Sequence, residues 1–213
     1  MKKKITLIIT LALTVVIMGA IAANTTVAWL TANDKVTNTF TVGDIKITLD
    51  EAPVDTTGKK IAGDRVKTND YKLIPGSAYD KDPTVTVKAQ SEECYVFVKI
   101  VDELNSSVAV PQGETAAFVT YTVGTDWTAV TPSGVTAYKV YRYNTTIKEA
   151  ADKQLVVFDG FTVAGWAKNE DLQKVAPVGE TKKNIVVTAY AHQSANQSQD
   201  QATAAAAAYF AAN

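Results

Sequence analysis

The sequence predicts an all-β fold, a jelly-roll-like antiparallel β-sandwich with a short C-terminal helix. Three observations predict it. Valine and threonine make up roughly a quarter of the residues, a composition of strands rather than helices. Apolar and polar residues alternate in several short runs, which is the period of a half-buried strand. Turn signals separate the runs: Pro75-Gly76, Asp82-Pro83, Pro111-Gln112-Gly113, Pro132-Ser133-Gly134, Asp159-Gly160 and Pro177-Val178-Gly179. Many short strands with Gly/Pro turns make a sandwich or jelly roll.

Taken in order, the elements begin with an export signal. Lys2, Lys3 and Lys4 form a positive head, residues 5–23 an uncharged, mostly apolar run, and residues 24–28 a short polar stretch with small residues. That order is a secretory signal peptide. A retained membrane anchor is the competing reading, because the run is just long enough to span a bilayer. Thr6, Thr10 and Thr14 dilute it, and Thr26-Val27-Ala28 offers a small-residue cleavage site, so cleavage is placed between Ala28 and Trp29. The rest of the chain holds no second apolar run of that length.

The expected organisation is thus a signal at 1–28, an N-terminal strand segment at 29–42, and a β domain with a helical tail at 43–213. In the segment 29–42, Leu30, Ala32, Val36, Phe40 and Val42 share one parity, with Asp34 and Asn38 the exceptions on that face. Beyond Gly43 the parity flips, with Ile45, Ile47 and Leu49 apolar. A strand keeps a period of two, so the flip needs a break, and Gly43 is the natural hinge. The second piece can join the domain's own sheet. The first either bends between sheets as an edge strand or adds to the sheet of a neighbouring subunit.

Further strands are expected at 84–89, 94–101, 117–123, 135–143, 155–158 and 184–191. In the second of these, Tyr95, Phe97 and Lys99 oppose Val96, Val98 and Ile100. Residues 56–70 are polar and read as an exposed loop, and 145–153 as a helical turn or crossover. Ser198 with Gln201 three residues on is a capping-box pattern before an alanine run. It predicts a short surface helix anchored by Tyr209 and Phe210, against the alternative of a frayed tail.

Charge and chemistry narrow the function. The chain has 21 basic and 22 acidic side chains, interspersed. Loss of the three leader lysines leaves a net charge of about −4. No basic patch offers a path for a phosphate backbone, so nucleic acid is not an expected partner. Cys94 is the single cysteine, which rules out an intramolecular disulfide. His192 is the single histidine, so neither H-E-x-x-H nor a second histidine ligand exists for a zinc protease. No G-x-S-x-G elbow and no phosphate-cradling glycine loop occurs, and no cofactor is expected. Asp80 and Asp82 before a strand could join a cation site, or be solvated turn residues. Trp127, Trp166 and the tyrosines could form a sugar platform on a monomeric surface module, or be core.

Several stretches resemble the TasA and camelysin-type proteins. They are Thr26-Val27-Ala28-Trp29-Leu30-Thr31, then Val36-Thr37-Asn38-Thr39-Phe40-Thr41-Val42-Gly43, Ile74-Pro75-Gly76, and residues 81–87. Residues 94–99 and the final Val187-Thr188-Ala189-Tyr190-Ala191 extend the likeness, with Leu30 replacing the second aromatic of the junction. The resemblance implies a jelly-roll protein exported with a dedicated signal peptidase and secreted to the cell surface or extracellular matrix. It implies a biofilm-matrix fibre in which the mature N-terminus of one subunit inserts into the next, with an accessory matrix protein as a further partner. Leu30, Ala32, Val36, Phe40 and Val42 would then fill a groove in the neighbour. The camelysin name also carries metalloprotease activity, the third reading beside filament subunit and binding module.

Overall fold

The computed structural model describes residues 44–177 and 181–213. The segment 1–43, with the expected signal, its expected cleavage site and Gly43, lies outside the described residues. The fold class is as the sequence predicts: antiparallel strands in three sheets, closed by a C-terminal helix.

The strands are β1 (Ile47–Asp50), β2 (Ala78–Asp80), β3 (Thr84–Val87), β4 (Cys94–Asp102), β5 (Val119–Thr120), β6 (Trp127–Ala129), β7 (Lys139–Tyr143), β8 (Lys153–Val156), β9 (Gly160–Val163) and β10 (Ile185–Gln193). The helices are α1 (Glu103–Ser107), α2 (Asn169–Val175) and α3 (Gln199–Ala212). One sheet runs β1-β3-β8, the facing sheet β10-β4-β7-β6, and a third β2-β9-β5. The first and third are one ladder bent at a corner. β2 leads into β3 through Lys81-Asp82-Pro83, and β8 into β9 through Val157-Phe158-Asp159. The corner is held by Val157 N–H on Pro83 O at 2.9 Å.

The main core lies between the sheets. Val85, Val87 and Leu155 meet Cys94, Val96, Val98 and Ile100, all buried. Tyr79 and Phe161 of the third sheet stack at 5.1 Å and close one end. A Cβ on Gly58, which has φ +76°, would strike the Tyr79 ring at 2.3 Å, so this turn needs glycine.

β4 is buried on both faces, which the sequence shows only as a long apolar run. Its even residues enter the main core. Phe97 on the odd face meets a second cluster with Val140 and the helix residues Ala202, Ala206 and Phe210. The spacing of four places those three helix residues on one stripe. The capping box forms as expected, with Gln201 N–H on Ser198 Oγ at 3.2 Å and Ser198 N–H on Gln201 Oε1 at 2.8 Å. Of the two expected anchors, Phe210 is buried, while Tyr209 stacks on Tyr190 at 4.6 Å and stays partly exposed. Lys99 Nζ, buried beneath the helix, donates to Phe210 O at 3.2 Å near the negative end of the helix dipole.

Some expected elements differ. Of the two alternatives at 145–153 the crossover forms, from β7 in one sheet to β8 in the other, and the helical turn does not, because Ile147 is needed in the core. It exchanges hydrogen bonds with Cys94 at 2.9 and 3.1 Å, which holds the chain extended. The strand expected at 117–123 shrinks to β5, since Tyr121 turns onto Phe158 at 4.9 Å. The strand expected at 135–143 starts only at Lys139, after the Pro132 turn. β2, β6 and β9 are too short for an alternation signal. The loop 56–70 is exposed at its tip but anchored at both ends, as set out below. No helix among the described residues is long and apolar enough to cross a membrane.

Candidate functional site: an open seam between two edge strands

β1 ends one sheet and β10 ends the facing sheet. Their outer edges are therefore without a strand partner among the described residues. The inward side chains of the central strands are sealed, with Val85, Val96 and Val98 at 0% exposure. Those of the two edge strands are not. Ile47 and Leu49 on β1, and Val187, Ala189 and Ala191 on β10, point to the core yet are only half-buried. Small residues at 189 and 191 leave space where a larger side chain would close the core. A cavity of about 350 Å³ opens at the Ile185–Val187 end of the seam, lined across from them by Leu49, Asp50, Glu51, Lys67 and Lys81. Along β10 the open edge is nine residues long.

The Ile185–Val187 end of the seam is polar. Glu51 and Val66 exchange main-chain hydrogen bonds at 2.8 and 2.7 Å just past β1. Arg65 binds Asp50 Oδ1 at 2.5 Å and Asp82 Oδ2 at 3.2 Å, and donates to Asp82 O at 3.0 Å. Lys60 reaches Asp82 at 3.1 Å. Burial would raise the Asp82 carboxyl. Hydrogen bonds from Ala52 N–H, Lys60 and Arg65 outweigh it and hold Asp82 below the usual carboxylate range. Asp80 accepts from Lys59 Nζ at 3.3 Å and from Lys60 N–H at 2.9 Å. Asp80 and Asp82 are therefore matched by this chain's own cations rather than left for a metal. No group of three or more His, Cys, Asp or Glu that could hold a metal occurs among the described residues.

The remaining sequence candidates separate in space. Cys94 is fully buried, and burial with the neighbouring Glu93 charge pushes its thiol up to about 11, which suits a packed residue and not a nucleophile. His192 lies opposite Tyr95 on the other face of the sheet, with Nδ1 2.8 Å from Tyr190 Oη. Cys94 and His192 thus form no dyad. Trp127 is buried, and its Nε1 donates to Val156 O at 2.8 Å. Trp166 donates to Ala116 O at 3.0 Å and tilts against Phe118. Both indoles are used internally, so they make no paired platform. Ala28, Trp29, Leu30, Ala32, Val36, Phe40, Val42 and Gly43 lie outside the described residues.

Comparison with protein-family models, curated proteins and solved structures finds no match to this chain. The seam was not identified from the sequence. The only hint was the small inward pair Ala189 and Ala191 in an otherwise valine-rich strand.

Proposed function

We propose that the protein is a secreted structural subunit of an extracellular, biofilm-matrix filament. In this reading the signal is cut between Ala28 and Trp29, and the freed segment 29–42 adds as a strand to the next subunit. The observation that carries it is the half-buried inward face of β1 and β10 at a seam whose two edges have no strand partner among the described residues. An added strand supplies what such a seam lacks: main-chain partners for the edges and alternating apolar side chains for the gap. Leu30, Ala32, Val36, Phe40 and Val42 have that alternation. A contact of this kind joins the front of one copy to the side of another, so it propagates without closing. Apolar burial at about 25 cal/mol per Å² drives it, less the entropy of ordering the segment. The signal then governs timing as well as export, because a strand tethered to a membrane helix is not free to enter a neighbour.

The test is deletion of residues 29–42 from the mature protein. The expected result is a folded monomer without filaments in negative stain. Filaments of unchanged number and form refute the reading.

A further inference from the structure

Beside the seam lies a cluster that an ion pair alone does not account for. Glu51 follows β1, Asn69 sits on the crossover to β2, and Lys81 follows β2. The Lys81 and Glu51 side chains are each 11% exposed and directly paired through Glu51 Oε1. The other carboxylate oxygen, Oε2, accepts from Asn69 Nδ2 at 3.2 Å. Glu51 thus bridges an amine and a carboxamide. Asn69 is fixed on its remaining sides: Nδ2 donates to Ala52 O at 2.9 Å, and Oδ1 accepts from Val54 N–H at 3.2 Å. Asn69 and Lys81 share a pocket lined by Tyr71, Leu104 and Phe161 on one side and by the polar Asp70, Lys182 and Asn184 on the other.

From this arrangement we infer that Lys81 and Asn69 become joined by an intramolecular isopeptide bond, with Glu51 as the catalytic residue. The chemistry balances within the cluster. Lys81 Nζ, directly paired with Glu51 Oε1, hands a proton to it as the reaction begins. The free amine attacks Asn69 Cγ. Negative charge collects on Oδ1, where the Val54 N–H already points. Glu51 returns a proton to Nδ2 from its other side. The Cγ–Nδ2 bond breaks and ammonia leaves, carrying the second proton of the amine as ammonium. Nζ–Cγ is the bond formed, the Glu51 carboxylate is regenerated, and no oxidant or cofactor is consumed. The three groups are held in place by the fold, which supplies the entropic part of the barrier. The bond would tie the crossover to the β2–β3 corner and fasten the polar end of the seam. This inference stands apart from the filament reading, since it needs only one copy of the chain.

Mass spectrometry of the full chain tests it. The expected mass falls short of the sequence, at the N-terminus found in the same digest, by one ammonia. Trypsin should then release residues 68–72 joined to residues 73–88, because a modified Lys81 is no longer a cleavage site. Glu51→Gln should restore the full mass. Lys81→Arg keeps a cation for Glu51 and so keeps the fold, and it should also restore the full mass. A wild-type chain at full mass overturns the inference. So does a deficit that persists in Lys81→Arg, which would place the ammonia loss at a succinimide of Asn69.

Discussion

A carboxylate placed inside the seam should abolish assembly while sparing the subunit. Ala189 is the position, since it faces inward on β10 and is half-buried. In the free subunit, the side chain of Ala189→Glu can reach water through the open seam. Its cost to folding should stay at about 1 kcal/mol. Once a strand fills the seam that route closes, and the charge must be buried without a partner, at about 3–5 kcal/mol. At about 1.4 kcal/mol per decade, the subunit concentration needed for filaments should rise from a hundredfold to a few thousandfold. The control is Val186→Glu, three residues earlier on β10 and of the opposite parity. Val186 points to the other face and is 42% exposed, so a glutamate there remains in water. Sedimentation of a concentration series, with negative stain of each pellet, measures both variants against the parent. Circular dichroism melting checks that each subunit is folded. Equal effects from the two substitutions would refute the assignment of the seam, because only its inner face should matter.

Two further outcomes follow from the same geometry. The Asp82 carboxyl is held low, so its stabilisation is present at neutral pH and is lost as pH falls below about 4, through its depressed folded value. Arg65→Met removes one of its partners and should move the acid-unfolding midpoint, followed by tryptophan fluorescence, to higher pH. Phe210→Ala removes a ring that is 1% exposed between Phe97 and Tyr190, and should cost about 3–5 kcal/mol. Urea unfolding should show it, and a loss under about 1 kcal/mol would mean that α3 is not docked through that ring.

The long elements were legible in the sequence because each carries its own signal. β4 and β10 are nine residues each and rich in apolar and β-branched side chains, and α3 announces itself with Ser198 and Gln201. The short strands β2, β6 and β9 carry three or four residues each, too few for a period to emerge, and exist because neighbouring strands template them. Residues 145–153 left a helical turn and a crossover open, and the crossover forms because Ile147 is claimed by a tertiary contact with Cys94. The site was less legible than the fold. An open edge is a property of what lies next to a strand, and no residue in the strand encodes it. The same holds for Glu51, Asn69 and Lys81, which are separated by up to 30 positions and converge only because the chain turns the β2–β3 corner.

Edges that could pair at random are a hazard, and the way this fold treats them argues for one intended site. β2, β5 and β6 are two or three residues long, too short to template much pairing. β8 displays Lys153 and Gln154 to solvent, and a lysine on an edge discourages a second strand. The end of β1 is occupied by Val66 and by Lys67, which donates to Leu49 O. β10 alone joins length to an uncovered inward face, about 30 Å of edge at the usual rise per residue. Its outward face is protected in part by α3, through Tyr190 and Tyr209. A strand approaching from the outside therefore meets the helix, and one entering the seam meets Val187, Ala189 and Ala191. That asymmetry admits a strand with apolar residues on a single parity and offers little to one without it. Selectivity of this kind is what a head-to-tail polymer requires if each copy is to accept one neighbour.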